Sequence, residues 1–397
     1  MDYTNVKTAI LGSTGSVGTQ AIDALSQFGA EITMLAAGKS YEKLLEQTLQ
    51  VKPRIVATSD EECAAKLREA LGDSDVKIYS GDDAICRAIY DCGASLIVHS
   101  ISGMAGLPAA LAAAETGARI AMANKEALIA AGHLIYDRLE KSGGELIPVD
   151  SEHSAIFQCL CAQGAAHPSR QADSSRVRRI LLTASGGPFF GWSAEQLDTV
   201  TPEMALAHPT WKMGPKITID CATLMNKGFE LIEACRLFGV ESDKVEVLVH
   251  RQSIIHSMVE YIDTSVIAQL SYPDMRDCVR FALTYPDRAP AGSPPLDFAK
   301  VGTLTFHEPD NEAFPLLDLA RKTWSRGGTA PASLIAADEE AVDAFLKKRI
   351  GFGDIARVVI AAMEKVPVYE ADSEEPIYRA ENEARIITRD IINTISR

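Results

Sequence analysis

No cysteine pair in this chain has the C-x-x-C spacing, and the eight cysteines, at 63, 86, 92, 159, 161, 221, 235 and 278, are scattered. That argues against a disulfide framework and points to reduced thiols in a cytoplasmic protein. No His/Cys set has zinc-ligand spacing. No run of 18 apolar residues occurs, so no bilayer span is expected. The start, Met1-Asp2-Tyr3-Thr4-Asn5-Val6-Lys7, lacks the basic and apolar regions of a secretory signal. Positive charge is scarce: 39 Lys and Arg stand against 54 Asp and Glu, a net charge of −15. Such a surface repels phosphate backbones and anionic lipid, so nucleic acid and membrane are poor partners. A small anionic substrate would need a locally basic or amide-lined pocket. Internal repeats and low-complexity tracts are absent.

What is present is a chain of 397 residues, 47% hydrophobic and 23% charged. Those values suit a soluble globular protein of two or three domains. Apolar runs at 7–11, 31–36, 54–57, 76–79, 95–99, 119–123 and 145–149 alternate with helical patterns at 17–28, 41–49, 61–71, 84–90, 107–116 and 125–142. This alternation predicts an α/β fold, a Rossmann-like doubly wound parallel sheet over residues 1–150. The pattern then changes. A helix at 154–161, strands at 179–183, 245–249, 257–262 and 265–270, and a helix at 223–238 predict a central α+β domain over 151–285. An irregular stretch of about 185–215 lies inside it, and loops this long are usually functional. Residues 286–311, with Pro286, Pro290, Pro294 and Pro295, read as a linker. Helical periodicity over 312–397 predicts a small α-helical domain.

Gly12-Ser13-Thr14-Gly15-Ser16-Val17-Gly18 follows the first strand and opens the first helix. That is where a doubly wound sheet receives a pyrophosphate, on the free N–H groups of a helix start. An ordinary tight strand-to-helix turn is the plainer alternative for a G-x-x-G-x-x-G spacing. The second strand ends Ala37-Gly38-Lys39-Ser40, with a cation and a hydroxyl in place of an acid. A ribose 2′-phosphate fits there better than a 2′-hydroxyl, favouring NADP(H) over NAD(H). Otherwise Lys39 is a solvated surface lysine.

The seventh strand ends Val149-Asp150-Ser151-Glu152-His153. In extended chain, Asp150 and Glu152 would point the same way at the carboxyl end of the sheet. Two readings stand: a cap for the helix that follows, or half of a cation site. Glu230, in Asn226-Lys227-Gly228-Phe229-Glu230, would complete an all-oxygen site for a hard divalent ion. His250 and His256 read as core or surface histidines.

These motifs, with Ala123-Asn124-Lys125-Glu126, Thr183-Ala184-Ser185-Gly186-Gly187-Pro188 and His208-Pro209-Thr210-Trp211, occur in an order that resembles the 1-deoxy-D-xylulose 5-phosphate reductoisomerase family. The likeness runs through Val249-His250 and 252–261 into the helical tail near 338–345. It implies a homodimeric enzyme of the non-mevalonate isoprenoid pathway. Such an enzyme uses NADPH and one divalent cation (Mg²⁺, Mn²⁺ or Co²⁺). It rearranges 1-deoxy-D-xylulose 5-phosphate, then reduces an aldehyde to 2-C-methyl-D-erythritol 4-phosphate.

By the same resemblance, Thr14, Gly15, Ser16 and Val17 hold the pyrophosphate, and Gly38, Lys39 and Ser40 the 2′-phosphate. Asn124, Glu126 and Gly214 complete the cofactor site. Asp150, Glu152 and Glu230 bind the metal. Lys125, Ser151 and Glu152 meet the substrate's oxygenated carbons. Ser185, His208, Asn226 and Lys227 hold its phosphate end, and Trp211 lies on a closing lid. Three positions depart from the family's usual residues: Cys221 for Ser, a weaker phosphate donor; Arg251 for Pro; and Asp338 for Asn. A semialdehyde-dehydrogenase-like enzyme would instead need a nucleophilic cysteine with a basic partner. A non-catalytic NADP-sensing protein would not need three converging acids.

Overall fold

The computed structural model describes residues 3, 5–169, 172–207 and 214–395. Seven parallel strands, β1 (Lys7–Leu11), β2 (Glu31–Ala37), β3 (Ile55–Thr58), β4 (Lys77–Ser80), β5 (Leu96–His99), β6 (Arg119–Met122) and β7 (Glu145–Pro148), form one sheet. Its order is β4-β3-β2-β1-β5-β6-β7. The order reverses between β1 and β5, so the two halves of the chain wind in opposite directions and leave a crevice at that switch point. Burial explains the continuous apolar runs: Ala9, Ile10 and Leu11 of β1 are wholly enclosed.

A second sheet holds β8 (Val177–Ala184), β9 (Val245–Val249), β10 (Ile255–Tyr261) and β11 (Val266–Leu270), in the order β11-β10-β8-β9. Only the β8–β9 pair is parallel. The Ser151–Cys161 helix packs against β10 and β11, and the Tyr261 hydroxyl donates to the Cys159 carbonyl at 2.9 Å.

Helices Leu316–Arg326, Ala330–Leu346, Phe352–Lys365 and Glu374–Ile395 make the helical end of the chain. This end is packed onto the rest. The Met225–Phe238 helix is clasped between the Lys125–Ser142 and Leu316–Arg326 helices. Gly228 permits that approach, since a Cβ there would lie 2.7 Å from the Ala320 Cβ. The 286–311 stretch is irregular apart from the Phe298–Val301 turn of helix, and its His307 bridges to Val249.

Three local expectations are corrected. The helix after β7 begins at Ser151, not 154, because the Asp150 carboxylate accepts the Glu152 N–H at 3.2 Å and caps it. The helix expected over 223–238 runs from Met225 to Phe238, and a helix that was not expected, Pro215–Ala222, precedes it across Leu224 at φ +60°. The stretch expected to be irregular from 185 to 215 carries short helices at Ala194–Leu197 and Pro202–Ala205.

Candidate active site

Gly12 has φ +82°, and a Cβ there would come 2.6 Å from the Ser100 carbonyl oxygen, so only glycine fits this turn. The Ser16–Phe28 helix that follows has Gly15 at its N-cap and no side-chain cap. Its first N–H groups are therefore offered outward, as an anion site requires. The turn is braced from behind: Lys43 donates to the Thr14 carbonyl at 2.8 Å and Gln47 to that of Ser13 at 2.9 Å. Gly15 and Ser16 are exposed, Thr14 and Val17 half-buried. Gly38, Lys39 and Ser40 are exposed at the end of β2. The two loops share one edge: the Gly12 and Ser13 N–H groups both bond the Ala36 carbonyl, at 2.8 and 2.9 Å.

Asn124 is committed to the protein. It caps the Lys125–Ser142 helix by accepting from Ala127 N at 2.7 Å, and its amide donates to the Gly103 carbonyl at 2.9 Å and to that of Ile101. Its side chain is thereby used up in fixing the 101–103 loop and the start of the helix that carries Lys125 and the half-buried Glu126. Gly214 is exposed at the N-cap of the Pro215–Ala222 helix. His208 and Trp211 lie outside the described residues.

The acids come together. Asp150, Glu152 and Glu230 each offer an oxygen within 4.8 Å of the others. Glu152 gets there from the first turn of a helix rather than from extended chain. Two ammonium groups hold the carboxylates apart. Lys125 Nζ lies 2.9 Å from Asp150 Oδ2 and 3.3 Å from Glu230 Oε1, and donates to Asn226 Oδ1 at 2.9 Å. Lys227 Nζ lies 3.0 Å from Glu152 Oε1 and also contacts Glu230. Lys227 therefore faces the acids in this conformation rather than standing apart at the phosphate end. Ser151 Oγ donates to Glu152 Oε2 at 2.5 Å.

Burial alone would favour uncharged groups here, and it is the neighbouring charges that decide. Burial opposes the charge on both lysines, yet the surrounding carboxylates outweigh it and raise both ammonium pKa values. Burial also works against the Asp150 carboxylate, but Lys125 and His153 hold it well below its usual range. Glu230 is raised, by burial first and then by Glu152 and Asp150. Asp150, Glu152 and Glu230 turn only hard oxygens toward one another. A dication with oxygen preference fits this set.

Two residues behind the acids escaped the sequence reading. His153 is fully buried, its Nδ1 donating to Asp150 Oδ1 at 3.1 Å and its Nε2 to the Glu230 carbonyl at 2.9 Å. With both ring nitrogens donating, it is a cation. Burial opposes that charge, but Glu233 and Asp150 overcome it and raise the pKa to about 9. Glu233 Oε2 lies 3.4 Å from His153 Nδ1, and burial pushes the Glu233 carboxyl up to about 7. The available signal was Glu233 three residues after Glu230, one helical turn on, since a buried acid needs a partner.

At the other end, Gly187 packs against Cys221: a Cβ on Gly187 would lie 2.6 Å from the Cys221 carbonyl oxygen. Burial pushes the Cys221 thiol up, as it does those of the other seven cysteines. A ready thiolate nucleophile is not found among them. His250 and His256 are buried. His250 donates to the Thr305 carbonyl at 2.9 Å and accepts from Ile254 N at 3.2 Å, the pattern of a neutral structural ring.

Residues 8–132 match the family profile described as 1-deoxy-D-xylulose 5-phosphate reductoisomerase. Residues 146–238 match 1-deoxy-D-xylulose 5-phosphate reductoisomerase C-terminal domain, and residues 270–387 match DXP reductoisomerase C-terminal domain. A curated relative from Desulfitobacterium hafniense (strain Y51), named 1-deoxy-D-xylulose 5-phosphate reductoisomerase, is 46% identical over 386 residues, covering 97% of this chain and 98% of the relative. One of the same name from Caulobacter vibrioides is 45% identical over 394 residues, covering 97% and 96%. The solved structure of 1-deoxy-D-xylulose 5-phosphate reductoisomerase from Zymomonas mobilis in complex with NADPH has 41% identity and a TM-score of 0.90, covering 98% of this chain and 99% of that one. A DOX-P reductoisomerase solved with NADPH, fosmidomycin and magnesium has 37% identity and a TM-score of 0.89, covering 98% of each chain.

Proposed function

The chain belongs to the 1-deoxy-D-xylulose 5-phosphate reductoisomerase family, and on that premise we propose that Lys125, Asp150, Glu152 and Glu230 carry its NADPH- and divalent-cation-dependent conversion of 1-deoxy-D-xylulose 5-phosphate to 2-C-methyl-D-erythritol 4-phosphate. The observation behind this assignment is the meeting of three carboxylates from two separate segments, 150–152 and 230, beside two lysines.

In this reading residues 1–150 hold NADPH and 151–285 hold substrate and cation. Residues 286–311 connect, and 312–397 back the site. NADPH supplies the hydride that reduces the aldehyde. When bound by Asp150, Glu152 and Glu230, a divalent cation (Mg²⁺, Mn²⁺ or Co²⁺) polarises the substrate ketone and a neighbouring hydroxyl. Lys125 is fixed at a helix start by the Asn124 cap, so its ammonium is preorganised to meet negative charge growing on a substrate oxygen. Lys227 balances Glu152 and Glu230, and with a cation held by those acids its ammonium would be free to serve the substrate phosphate. Ser151 turns its hydroxyl from Glu152 to the substrate. Thr14, Gly15, Ser16 and Val17 bind pyrophosphate through backbone N–H groups, and Lys39 with Gly38 and Ser40 takes the 2′-phosphate. Glu126 and Gly214 border the cofactor, and Asn124 shapes its site through the cap.

Ser185, Cys221, Asn226 and, from the undescribed segment, His208 receive the substrate phosphate. That remote group contributes binding energy to closure of a lid over about 185–215, with Trp211 as its apolar face. Closure keeps water from the aldehyde until hydride arrives. A homodimer in the cytoplasm belongs to the same reading. Its support is β11, an edge strand paired on one side only and carrying half-exposed apolar residues, together with eight free thiols.

The test is oxidation of NADPH followed at 340 nm with Mg²⁺ and 1-deoxy-D-xylulose 5-phosphate. Turnover that EDTA stops and Mg²⁺ restores is expected. Turnover indifferent to EDTA would remove the carboxylate triad from the chemistry.

A further inference from the structure

After β8 the chain turns through Ser185, Gly186 and Gly187, with φ +77° and +65° at the two glycines. Neither tolerates a side chain. A Cβ on Gly186 would lie 2.7 Å from Val249 Cγ1, and one on Gly187 would meet the Cys221 carbonyl oxygen. The turn is thus pressed between the end of β9 and the Pro215–Ala222 helix. Two successive glycines give it little stiffness of its own, and its carbonyl groups need donors.

Arg251 supplies them. Its Nη1 donates to the Ser185 carbonyl at 3.2 Å and to the Gly187 carbonyl at 2.6 Å. Its guanidinium lies over the Phe190 ring, 5.3 Å from the centroid. One side chain therefore spans the turn and pins the aromatic residue beyond it. Arg251 grows from a fixed point, because the neighbouring His250 donates its N–H to the Ala184 carbonyl at 2.7 Å and stacks on Phe306. The guanidinium is a permanent cation. Drawing on two carbonyls of a short turn, it polarises those peptide units and leaves the turn's other face more favourable to an anion.

Resting on the assignment of Ser185 and Cys221 to the substrate phosphate, we propose that Arg251 is a positioning residue for that phosphate: it locks the Ser185–Gly187 turn and sets positive charge behind it. The role matters because Cys221 offers only a thiol, a weak and long donor. The two residues are physically linked through Gly187, whose carbonyl bonds Arg251 and whose Cα rests on the Cys221 backbone.

The experiment is steady-state kinetics of R251A, R251K and R251Q, with S185A as reference, plus competition by inorganic phosphate and NADPH titration by fluorescence. R251A should raise KM for 1-deoxy-D-xylulose 5-phosphate about tenfold, in the range of one charge-assisted hydrogen bond. The inhibition constant for phosphate should rise in parallel, with kcat within about twofold and NADPH affinity unchanged. R251K, which keeps the charge but not the planar group over Phe190, should fall between, and C221S should recover part of the loss in the R251A background. If R251A leaves both constants unchanged while S185A raises them, Arg251 has no such role and the phosphate assignment stands. If neither variant moves them, the assignment itself fails. A loss confined to kcat or to thermal stability, in R251A or in whichever of R251K and R251Q folds, makes the arginine merely structural and overturns the proposal.

Discussion

Lys216 gives the most quantitative test of how the site is held. Its ammonium meets Asp220 Oδ2 at 2.6 Å and Asp338 Oδ2 at 2.5 Å. Asp338 is wholly buried and Asp220 nearly so, and the Oδ1 atoms of both have no donor. The cluster joins the Pro215–Ala222 helix, which bears Cys221, to the Ala330–Leu346 helix. Burial first, and then the Asp338 charge, push the Asp220 carboxyl well above its usual range, with Lys216 opposing.

The substitution K216M leaves two buried acids without a counter-charge. Removing one partner of a buried pair costs about 3–5 kcal/mol. A third of the Lys216 side chain still meets solvent, so screening places the loss at the low end, ~3 kcal/mol. At ~2–4 °C per kcal/mol for chains of 150–250 residues, that is a fall of roughly 6–12 °C in Tm, less in a longer chain. The sign with pH follows from the raised carboxyl. A folded-state pKa above the unfolded one contributes stability that is full below the unfolded value, ~3.9, and is lost as pH rises through the folded value. The K216M deficit should therefore shrink from pH 7 to pH 5, and the triple variant K216M/D220N/D338N should regain most of it. D338N alone keeps an acceptor for Lys216 and should lose under ~1 kcal/mol. Thermal unfolding by circular dichroism at both pH values decides. A K216M protein within ~1 kcal/mol of the parent at pH 7, or one whose deficit ignores pH, refutes the account.

Other outcomes follow from the site. E230Q should lower kcat/KM by roughly 10²–10³ at ordinary Mg²⁺ while leaving NADPH affinity intact; near-normal turnover would dissolve the triad. C221S should keep or tighten substrate binding, read as KM, because a hydroxyl is the better phosphate donor; a large fall in kcat/KM would count against placing residue 221 at the phosphate. K39A should raise KM for NADPH roughly tenfold with little change for NADH, the loss of one charge-assisted hydrogen bond; equal effects on both cofactors would detach Lys39 from the 2′-phosphate.

The first sheet was legible because its strands are buried on both faces. Unbroken apolar runs such as Ala9-Ile10-Leu11 mark them to within a residue or two. The glycine loop was legible as a strand-to-helix turn because its glycines and its place after β1 call for the positive φ that Gly12 adopts. Local backbone choices were harder. The helix start at Ser151 depends on whether Asp150 caps or extends, and a strand-end Asp permits both. The break at Leu224 puts a leucine at positive φ, which no propensity signals. The Pro215–Ala222 helix was missed because Ile217, Thr218 and Ile219 are β-branched and favour strand. At the site, the acids and Lys125 stood in short motifs. His153 and Glu233 matter through each other, across two helices, and such a pairing is visible only once the chain is folded.

Asp150 and Asn124 each open a helix, and each of those helices carries a site residue in its first turn. The same two side chains thus serve as local helix caps and as parts of the site, so a substitution such as D150A removes a cap from the Ser151–Cys161 helix as well as a carboxylate from the cluster. That segment also packs on β10 and β11, so one short helix joins the acidic cluster to the second sheet.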